Sequence, residues 1–197
     1  MKLKTMLLTL AFLAAICVPS RAQEHQTSTP STTAKPTVAP SAQQKAARDA
    51  NREKLRALLD TAGPKVNVAF RQSDKQPYNF VGLMKTGLTN ADTLEIVISV
   101  STEETIHFRI YPHYNNTYVN IDKVKSGESL LRKMARFSDQ NFLFWGADDS
   151  GDIMAGYNFT LESGFPDASI RVVVNSIAKL DLYVGQMRPA IDGSSAP

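Results

Sequence analysis

The segment from Asp148 to Asp152, which reads DDSGD, is the densest group of side chains that could bind a metal or catalyse a reaction. Calcium takes several carboxylate and carbonyl oxygens that converge on one point, and paired carboxylates can act as general acid and base. The further ligands and closing glutamate of an EF-hand loop are missing. The same residues suit a polar turn between two strands, in which glycine adopts a positive φ. We therefore predict a turn, with no metal ligand and no catalytic residue, and a weak cation site is the alternative.

Two histidines, His107 and His113, lie in the part of the chain that is expected to fold. Six residues of an extended strand span roughly 20 Å, whereas a metal lies about 2 Å from its ligands. The two rings therefore do not share a metal unless Pro112 bends the strand and brings them together. We predict no metal and no other cofactor.

Arg109 and Tyr111 lie between these histidines and share their parity, so all four side chains belong to one face of a predicted strand. A half-buried antiparallel sheet is expected to present such a polar face to solvent. Arginine and tyrosine are also enriched at protein interfaces. The face is therefore either solvated or a docking surface for a partner protein or a second copy of the chain.

An aromatic cluster around the only tryptophan, Trp145, is the second candidate for binding. Side chains alternate along a strand, so Phe142 and Phe144 point to one side and Trp145 to the other. One side is expected to line the core, and the other stays exposed unless another element covers it. An exposed ring there could bind a small ligand or a glycan. The candidate binding residues are His107, Arg109, Tyr111 and Trp145.

Motifs of the common enzyme classes are missing from the sequence. It has no G-x-S-x-G elbow, no H-E-x-x-H helix, no P-loop and no Rossmann glycine pattern. The only cysteine, Cys17, precedes the predicted folded region, so a thiol enzyme is not expected either. We predict a protein that is not an enzyme. A hydrolase with a dispersed carboxylate site in the acidic turn remains an alternative, because catalytic residues need only meet in space.

Residues 1–22 have the pattern of a secretory signal peptide. Lys2 and Lys4 precede an apolar run from Met6 to Val18, and small residues flank Arg21 before the expected cleavage site. The run is shorter than the roughly 20 residues of a membrane span. The pattern predicts a periplasmic or secreted protein with no stable membrane span after cleavage. An uncleaved anchor and lipidation of the single cysteine are the alternatives.

The net charge of +3 comes from this N-terminal segment, which has three basic residues and no acidic one. Removing those three from the 22 basic residues leaves 19, which equals the number of acidic residues. A neutral mature chain without a basic patch is not expected to bind nucleic acid.

Composition divides the rest of the chain into a linker, a domain and a tail. Residues 23–42 are rich in Ser, Thr, Pro and Ala and have almost no large apolar side chain, which predicts a disordered linker. Residues 43–191 have the composition of a folded domain, and residues 192–197 are predicted to be a flexible tail.

Hydrophobic periodicity predicts an α+β domain for residues 43–191. A helix over residues 44–62 ends at Gly63-Pro64, and alternation is clearest at 93–101 and 105–111, which read as a hairpin. A second helix begins at Ser126 with a buried stripe, and a third begins near Pro166 and extends to Met187. We expect an antiparallel sheet of about five strands with helices on one face, in the order α-β-β-β-α-β-β-α. The stripe predicted for the second helix is Leu130, Leu131, Met134 and Phe137.

Five short segments spread over residues 55–187 carry a resemblance to a known family: 58–63 (LLDTAG), 130–134 (LLRKM), 141–142 (NF), the acidic turn, and Gly164. With these segments the chain resembles the YbjN domain family, whose fold is that of type III secretion chaperones. Family members are usually cytoplasmic, whereas this chain has a predicted export signal. At the end of the middle helix the family tends to Leu-Asn-x-x-Asn, where this chain reads FSDQN at 137–141.

The resemblance implies a protein-binding module, regulatory or chaperone-like, of a kind that often forms dimers. It identifies neither the protein partner nor the biological process. The main alternative from the residues themselves is an envelope domain that binds a small ligand or a glycan.

Overall fold

The computed structural model describes residues 41–194. The predicted signal peptide, nearly all of the predicted linker and the last three residues of the predicted tail lie outside this range. No helix among residues 41–194 combines the length and the hydropathy that a bilayer crossing requires. The helices are α1 (Ala42–Ala62), α2 (Gly127–Gln140), α3 (Asp167–Ser176) and α4 (Leu180–Ile191), with 3-10 turns at Gly63–Val66 and Ile177–Lys179. The strands are β1 (Ala69–Gln72), β2 (Asn79–Met84), β3 (Thr93–Val100), β4 (Thr105–Tyr114), β5 (Thr117–Tyr118), β6 (Phe144–Ala147) and β7 (Ile153–Thr160).

All seven strands belong to one antiparallel sheet, which confirms the predicted α+β class. The strand order is β1-β2-β3-β4-β7-β6, and β5 pairs with β4 alone. The sheet therefore has more strands than the five or so expected. Two of them, β1 and β5, are short, with four and two residues.

The core lies between one face of the sheet and the helices. Alternate residues of β3 and β4 are fully buried there, as the period-2 pattern predicted. They join buried side chains of all four helices in a single hydrophobic cluster. The residues from β3 and β4 are Leu94, Ile96, Ile98, Val100, Ile106, Phe108 and Ile110.

The first two helices begin at side-chain caps. The hydroxyl of Ser41 accepts the backbone N–H of Gln44, whose side chain accepts the N–H of Ser41 in return, so α1 starts slightly before the predicted residue 44. Ser126 caps α2 as expected. One member of the predicted α2 stripe is wrong: Leu131 is 51% exposed, because its neighbour Leu130 takes the core position.

The predicted third helix is two helices. Its apolar residues are buried as expected, but the 3-10 turn at Ile177–Lys179 separates α3 from α4. Asp181 in the first turn of α4 is 6% exposed and accepts backbone N–H groups from the loop between β2 and β3. The new helix start therefore places a carboxylate where it holds that loop against the helical layer.

Candidate functional site

The sheet face opposite the helices, called here the open face, carries most of the predicted binding residues. Because directly paired residues of antiparallel strands share a face, the registers define its members. His107, Arg109 and Tyr111 lie on it as predicted. The other members used below are Leu83, Glu95, Val97, His113, Tyr118, Phe144, Met154, Gly156 and Asn158.

Trp145 lies on the other side of the sheet and is 8% exposed. Its ring packs against Phe137 of α2 at 5.7 Å and Tyr183 of α4 at 5.8 Å between centroids. Its backbone N–H donates to the hydroxyl of Ser138 at 2.7 Å. Trp145 is therefore a core residue that fastens β6 to α2, which corrects its selection as a surface binding residue.

The exposed aromatic side chains of this cluster are the two phenylalanines. Phe142 is 49% exposed and Phe144 is 39% exposed. The tip of the Phe144 ring lies over Gly156 of β7, where a Cβ would overlap it. Gly156 is paired with Arg109 on its other side, so Phe144 continues the open face toward the sheet edge at β6.

Near the C-terminal end of β4, Tyr118 forms a cluster that the sequence alone did not reveal. Its hydroxyl donates to Glu95 Oε2 at 2.6 Å, and its ring lies 4.2 Å from that of His113 between centroids. The hydrogen bond to Glu95, followed by burial, raises the pKa of Tyr118 far above the usual value of a tyrosine. Glu95 and His113 come together through the β3–β4 register, and Tyr118 reaches them through the short β5 hairpin.

The remaining predicted residues make mostly local contacts. His107 Nδ1 lies 2.9 Å from Asn158 Oδ1 on the adjacent strand. Burial raises the pKa of Tyr111, while the nearby guanidinium of Arg109 opposes that rise. Arg109 itself is exposed. These residues form a mixed polar surface, and no catalytic dyad is evident among them.

The acidic segment forms the predicted turn. Asp148 Oδ1 accepts the N–H groups of Ser150 at 2.9 Å and Asp152 at 3.1 Å, and Gly151 has φ +80°. Asn120 donates to Asp152 Oδ1 at 2.8 Å from outside the turn. The oxygens are thus engaged in closing the hairpin. Within residues 41–194, no three or more His, Cys, Asp or Glu side chains are placed to hold a metal ion.

The free edge of β1 is a second candidate surface, which no sequence pattern indicated. Ser73 N–H donates to Asn79 O on β2, so the residues of β1 with the same parity face β2. Phe70 and Gln72 have the opposite parity, and their N–H and C=O groups point away from the sheet. They make no backbone hydrogen bond to any described residue outside the strand.

A groove of about 230 Å³ lies beside this edge, between β1 and α1. Its apolar part is formed by Leu59, Phe70 and Phe80, and its rim by Arg56 and Asp60. The side chain of Gln72 accepts a hydrogen bond from Arg56, which closes one end of the groove. An unpaired strand edge beside an apolar groove has the geometry that strand addition requires.

Comparisons with known proteins show no family for this chain. No family model matches the chain, and no curated protein matches it. A search of solved structures matches a chain of the crystal structure of the ExsC-ExsE complex. That chain is 15% identical and superposes with a TM-score of 0.40, over 71% of this chain and 96% of that one. Membership of the YbjN family therefore stays a prediction, and the α+β assignment rests on the sheet and helices described above.

Proposed function

We propose that the protein is an exported, non-enzymatic module that binds other polypeptides and takes an extended segment of a partner along the free edge of β1. The observation that supports this most directly is the outward N–H and C=O groups of Phe70 and Gln72 beside the groove. Backbone groups bind any extended chain, whatever its sequence. The groove would make some peptide sequences bind better than others, because every second side chain of an added strand would face it.

Both the groove and the edge favour a particular kind of segment. Phe70, which is only partly buried beside this edge, suits an apolar side chain on the helix side of the added strand. Arg71, which is exposed on the open face next to this edge, suits an acidic residue opposite it. The expected segment therefore alternates apolar residues with polar ones and carries at least one carboxylate.

The open face is a second surface for the same function. Three large side chains on this face are each about two-fifths exposed: Phe144, Tyr118 and Leu83. Arg109 lies between them and is also exposed. Aromatic and arginine side chains are common at protein interfaces. A second copy of the chain is the occupant proposed here, which would make the protein a homodimer.

The edge proposal is tested with Gln72→Pro, matched by Gln72→Ala. Both variants remove the Gln72 side chain and its bonds to Arg56 and Pro77. Only proline also removes the outward N–H, and proline is tolerated at that position of an edge strand. The probe is fluorescently labelled α-lactalbumin, reduced and carboxymethylated so that it stays unfolded, and the readout is fluorescence anisotropy.

We expect Gln72→Pro to bind the probe about tenfold more weakly than Gln72→Ala, since one backbone hydrogen bond is lost and the ring obstructs the added strand. Circular dichroism confirms that both variants fold. Equal affinity of the two variants for the probe would show that the β1 edge is not the binding site. Failure of the unmodified protein to bind the probe would contradict the proposed binding function itself.

The homodimer is tested by light scattering. We expect the unmodified protein to have the mass of two chains, and Phe144→Ser with Arg109→Ala to reduce it to one. Leu131→Ser, on the exposed side of α2, is the control and should leave the dimer intact. A monomer at all concentrations would exclude the open face as a self-association surface.

Export is part of the proposal and rests on residues 1–22. In a bacterial host, we expect mass spectrometry of the protein to give an N-terminus at Gln23. An intact Met1 in a cytoplasmic fraction would contradict export without affecting the binding surfaces.

A further inference from the structure

A cleft of about 580 Å³ lies between the β4–β5 hairpin and the end of α4. This volume is within the range of about 300–1,000 Å³ that is typical of small-molecule sites. The lining residues come from three separate parts of the chain: residues 114–124, Asp152 just before β7, and residues 191–192 at the end of α4. Trp145, the residue for which a glycan was considered from the sequence, does not line this cleft.

Hydrogen bonds within the protein hold the hairpin wall of the cleft in place. The two turn residues, Asn115 and Asn116, have φ +53° and +60°, the left-handed conformation of a type I′ turn. Asp92 Oδ2 accepts the Asn116 N–H at 2.7 Å, which ties the turn to the residue before β3. The Tyr114 hydroxyl donates to Asp192 Oδ2 at 2.7 Å, which joins the hairpin to the end of α4. A ligand would therefore not have to order this wall on binding.

The rest of the cleft is fixed in the same way. The side chain of Asn120, which is 5% exposed, donates to Ser150 O and to Asp152 Oδ1, each at 2.8 Å. The N–H of Lys125 donates to the carbonyl of Ile191 at 2.8 Å, which holds the end of α4 against the chain that follows β5. The cleft is therefore preformed, as small-molecule sites usually are.

The lining combines aliphatic surface with side-chain amides. Val119, Val124 and Ile191 are buried or half-buried there. Asn115 and Asn116 are exposed in the hairpin wall. A side-chain amide both donates and accepts hydrogen bonds, as a hydroxyl group does. A wholly apolar ligand would bury these amides without partners, which is unfavourable.

Three charged side chains line the cleft: Lys123, Asp152 and Asp192. One positive and two negative formal charges leave a net charge of −1, which disfavours an anionic ligand. The lysine in turn opposes a cationic ligand. Carboxylates accept hydrogen bonds and the ammonium group donates them, so all three groups can bind uncharged hydroxyls. The lining therefore suits a neutral molecule with many hydroxyl groups.

We infer that this cleft binds a neutral saccharide. The hydroxyl groups of the sugar would bond to the asparagine amides and the carboxylates, and its C–H surfaces would pack on the aliphatic side chains. The inference does not depend on the proposed function, because the cleft shares no lining residue with the groove beside β1. The domain would then bind a saccharide and a polypeptide at two separate places.

The test is an NMR titration of the full chain with four neutral disaccharides: maltose, cellobiose, lactose and N,N′-diacetylchitobiose. We expect at least one of them to shift the backbone amide signals of residues 114–124, with a Kd of about 1 mM or lower. The signals of β1 should not move. A second pair of probes tests the charge of the ligand, and methyl β-glucoside should bind more tightly than methyl β-glucuronide.

A matched pair of variants tests the hairpin wall. Asn116→Gly removes one amide from the cleft and tolerates the positive φ of that position. We expect it to weaken binding of the disaccharide about three- to tenfold, the effect of one hydrogen bond. Asn67→Gly is the control, because Asn67 is also exposed, has φ +57° and does not line the cleft. It should leave the affinity unchanged.

The inference would be overturned if none of the four disaccharides, at about 20 mM, shifted the signals of residues 114–124. Tighter binding of the glucuronide than of the glucoside would contradict the neutral class of ligand. Equal affinity of Asn116→Gly and Asn67→Gly for the disaccharide would contradict the assignment of the sugar to this cleft. The signals of β3, followed in the same spectra, show whether each variant has kept the fold.

Discussion

Asp181 and Asn90 are joined by three hydrogen bonds across 91 residues of sequence. Oδ1 of Asp181 accepts the Asn90 N–H at 2.9 Å, and Oδ2 accepts it at 3.2 Å and the Asn90 side-chain amide at 3.1 Å. The same carboxylate accepts the N–H groups of Thr89 and Ala91, each at 2.8 Å. One buried side chain thus satisfies three consecutive backbone donors of a loop that has no regular structure.

Asp181→Ala is expected to lower the free energy of unfolding by about 2–4 kcal/mol, because backbone donors that bonded to a buried charge are left without a partner. Urea unfolding followed by circular dichroism measures this. Asp60→Ala, at an exposed position of α1, is the control and should change stability by less than about 0.5 kcal/mol. Equal effects of the two substitutions would contradict a structural role for Asp181.

Gly156→Ala is expected to lower the free energy of unfolding by about 1–3 kcal/mol, since the new methyl group overlaps the Phe144 ring. Gly146→Ala is a matched control on the adjacent strand, where a Cβ meets nothing within 4 Å. Combining Gly156→Ala with Phe144→Ser should recover part of the loss. If Gly156→Ala and Gly146→Ala unfold at the same urea concentration, the described position of Phe144 is wrong.

Tyr118 and Tyr78 are expected to resist ionisation at high pH. A hydrogen bond to Glu95 raises the pKa of Tyr118, and one to Asp49 raises that of Tyr78. A pKa that is higher in the folded state contributes stability below the unfolded value of about 10, and this contribution is lost as the pH rises above it. Absorbance at 295 nm follows tyrosine ionisation and should show a group of tyrosines that ionise only at the highest pH. This group should contain one tyrosine fewer in Tyr118→Phe, one fewer in Tyr78→Phe and two fewer in the double variant. An unchanged late phase in Tyr118→Phe would refute its bond to Glu95.

Asp192 is expected to stay ionised to unusually low pH. Hydrogen bonds from the side chain and backbone of Ser194, and from the Tyr114 hydroxyl, lower the pKa of Asp192 to about 2. Because the folded value lies below the unfolded one, the stabilising contribution is present above pH 4 and is lost as the pH falls toward 2. Carboxyl NMR titration should show a higher pKa in Ser194→Ala and a smaller rise in Tyr114→Phe. A normal aspartate titration in the unmodified protein would contradict these contacts.

Much of the fold could be predicted because burial imposes a period on each element. Alternation placed Ile106, Phe108 and Ile110 in the core, and therefore placed His107 and Arg109 on the opposite face. The glycine and proline after α1 marked its end. These signals are local, since each depends on neighbouring residues of the same segment.

The wrong predictions concern features that depend on residues distant in sequence. The apolar stripe of the third helix continues through the 3-10 turn at Ile177–Lys179, so no local pattern marks the break. Leu131 and Trp145 are apolar residues whose exposure depends on whether they or an adjacent apolar residue occupy the core position. Alternation showed that Trp145 and Phe144 face opposite ways, but not which of them faces the helices.

The candidate surfaces were the least predictable part. The cluster of Glu95, His113 and Tyr118 depends on the register of two hairpins, and the free edge of β1 depends on the strand order. A sequence gives parity along one strand without giving its neighbours. With the β3–β4 register known, Glu95 and His113 would have been recognised as diagonal neighbours.

The position of β7 has a consequence for the order in which the chain can fold. Although it is the last strand in sequence, it lies inside the sheet, between β4 and β6. A chain still in synthesis that ends before residue 153 would leave one edge of β4 unpaired, with its apolar residues Ile106, Phe108 and Ile110 uncovered on that side. Such an edge is prone to pair with other chains. The sheet must therefore close late, by contacts between distant segments, so folding depends on the whole chain being available rather than proceeding from the N-terminus as it emerges.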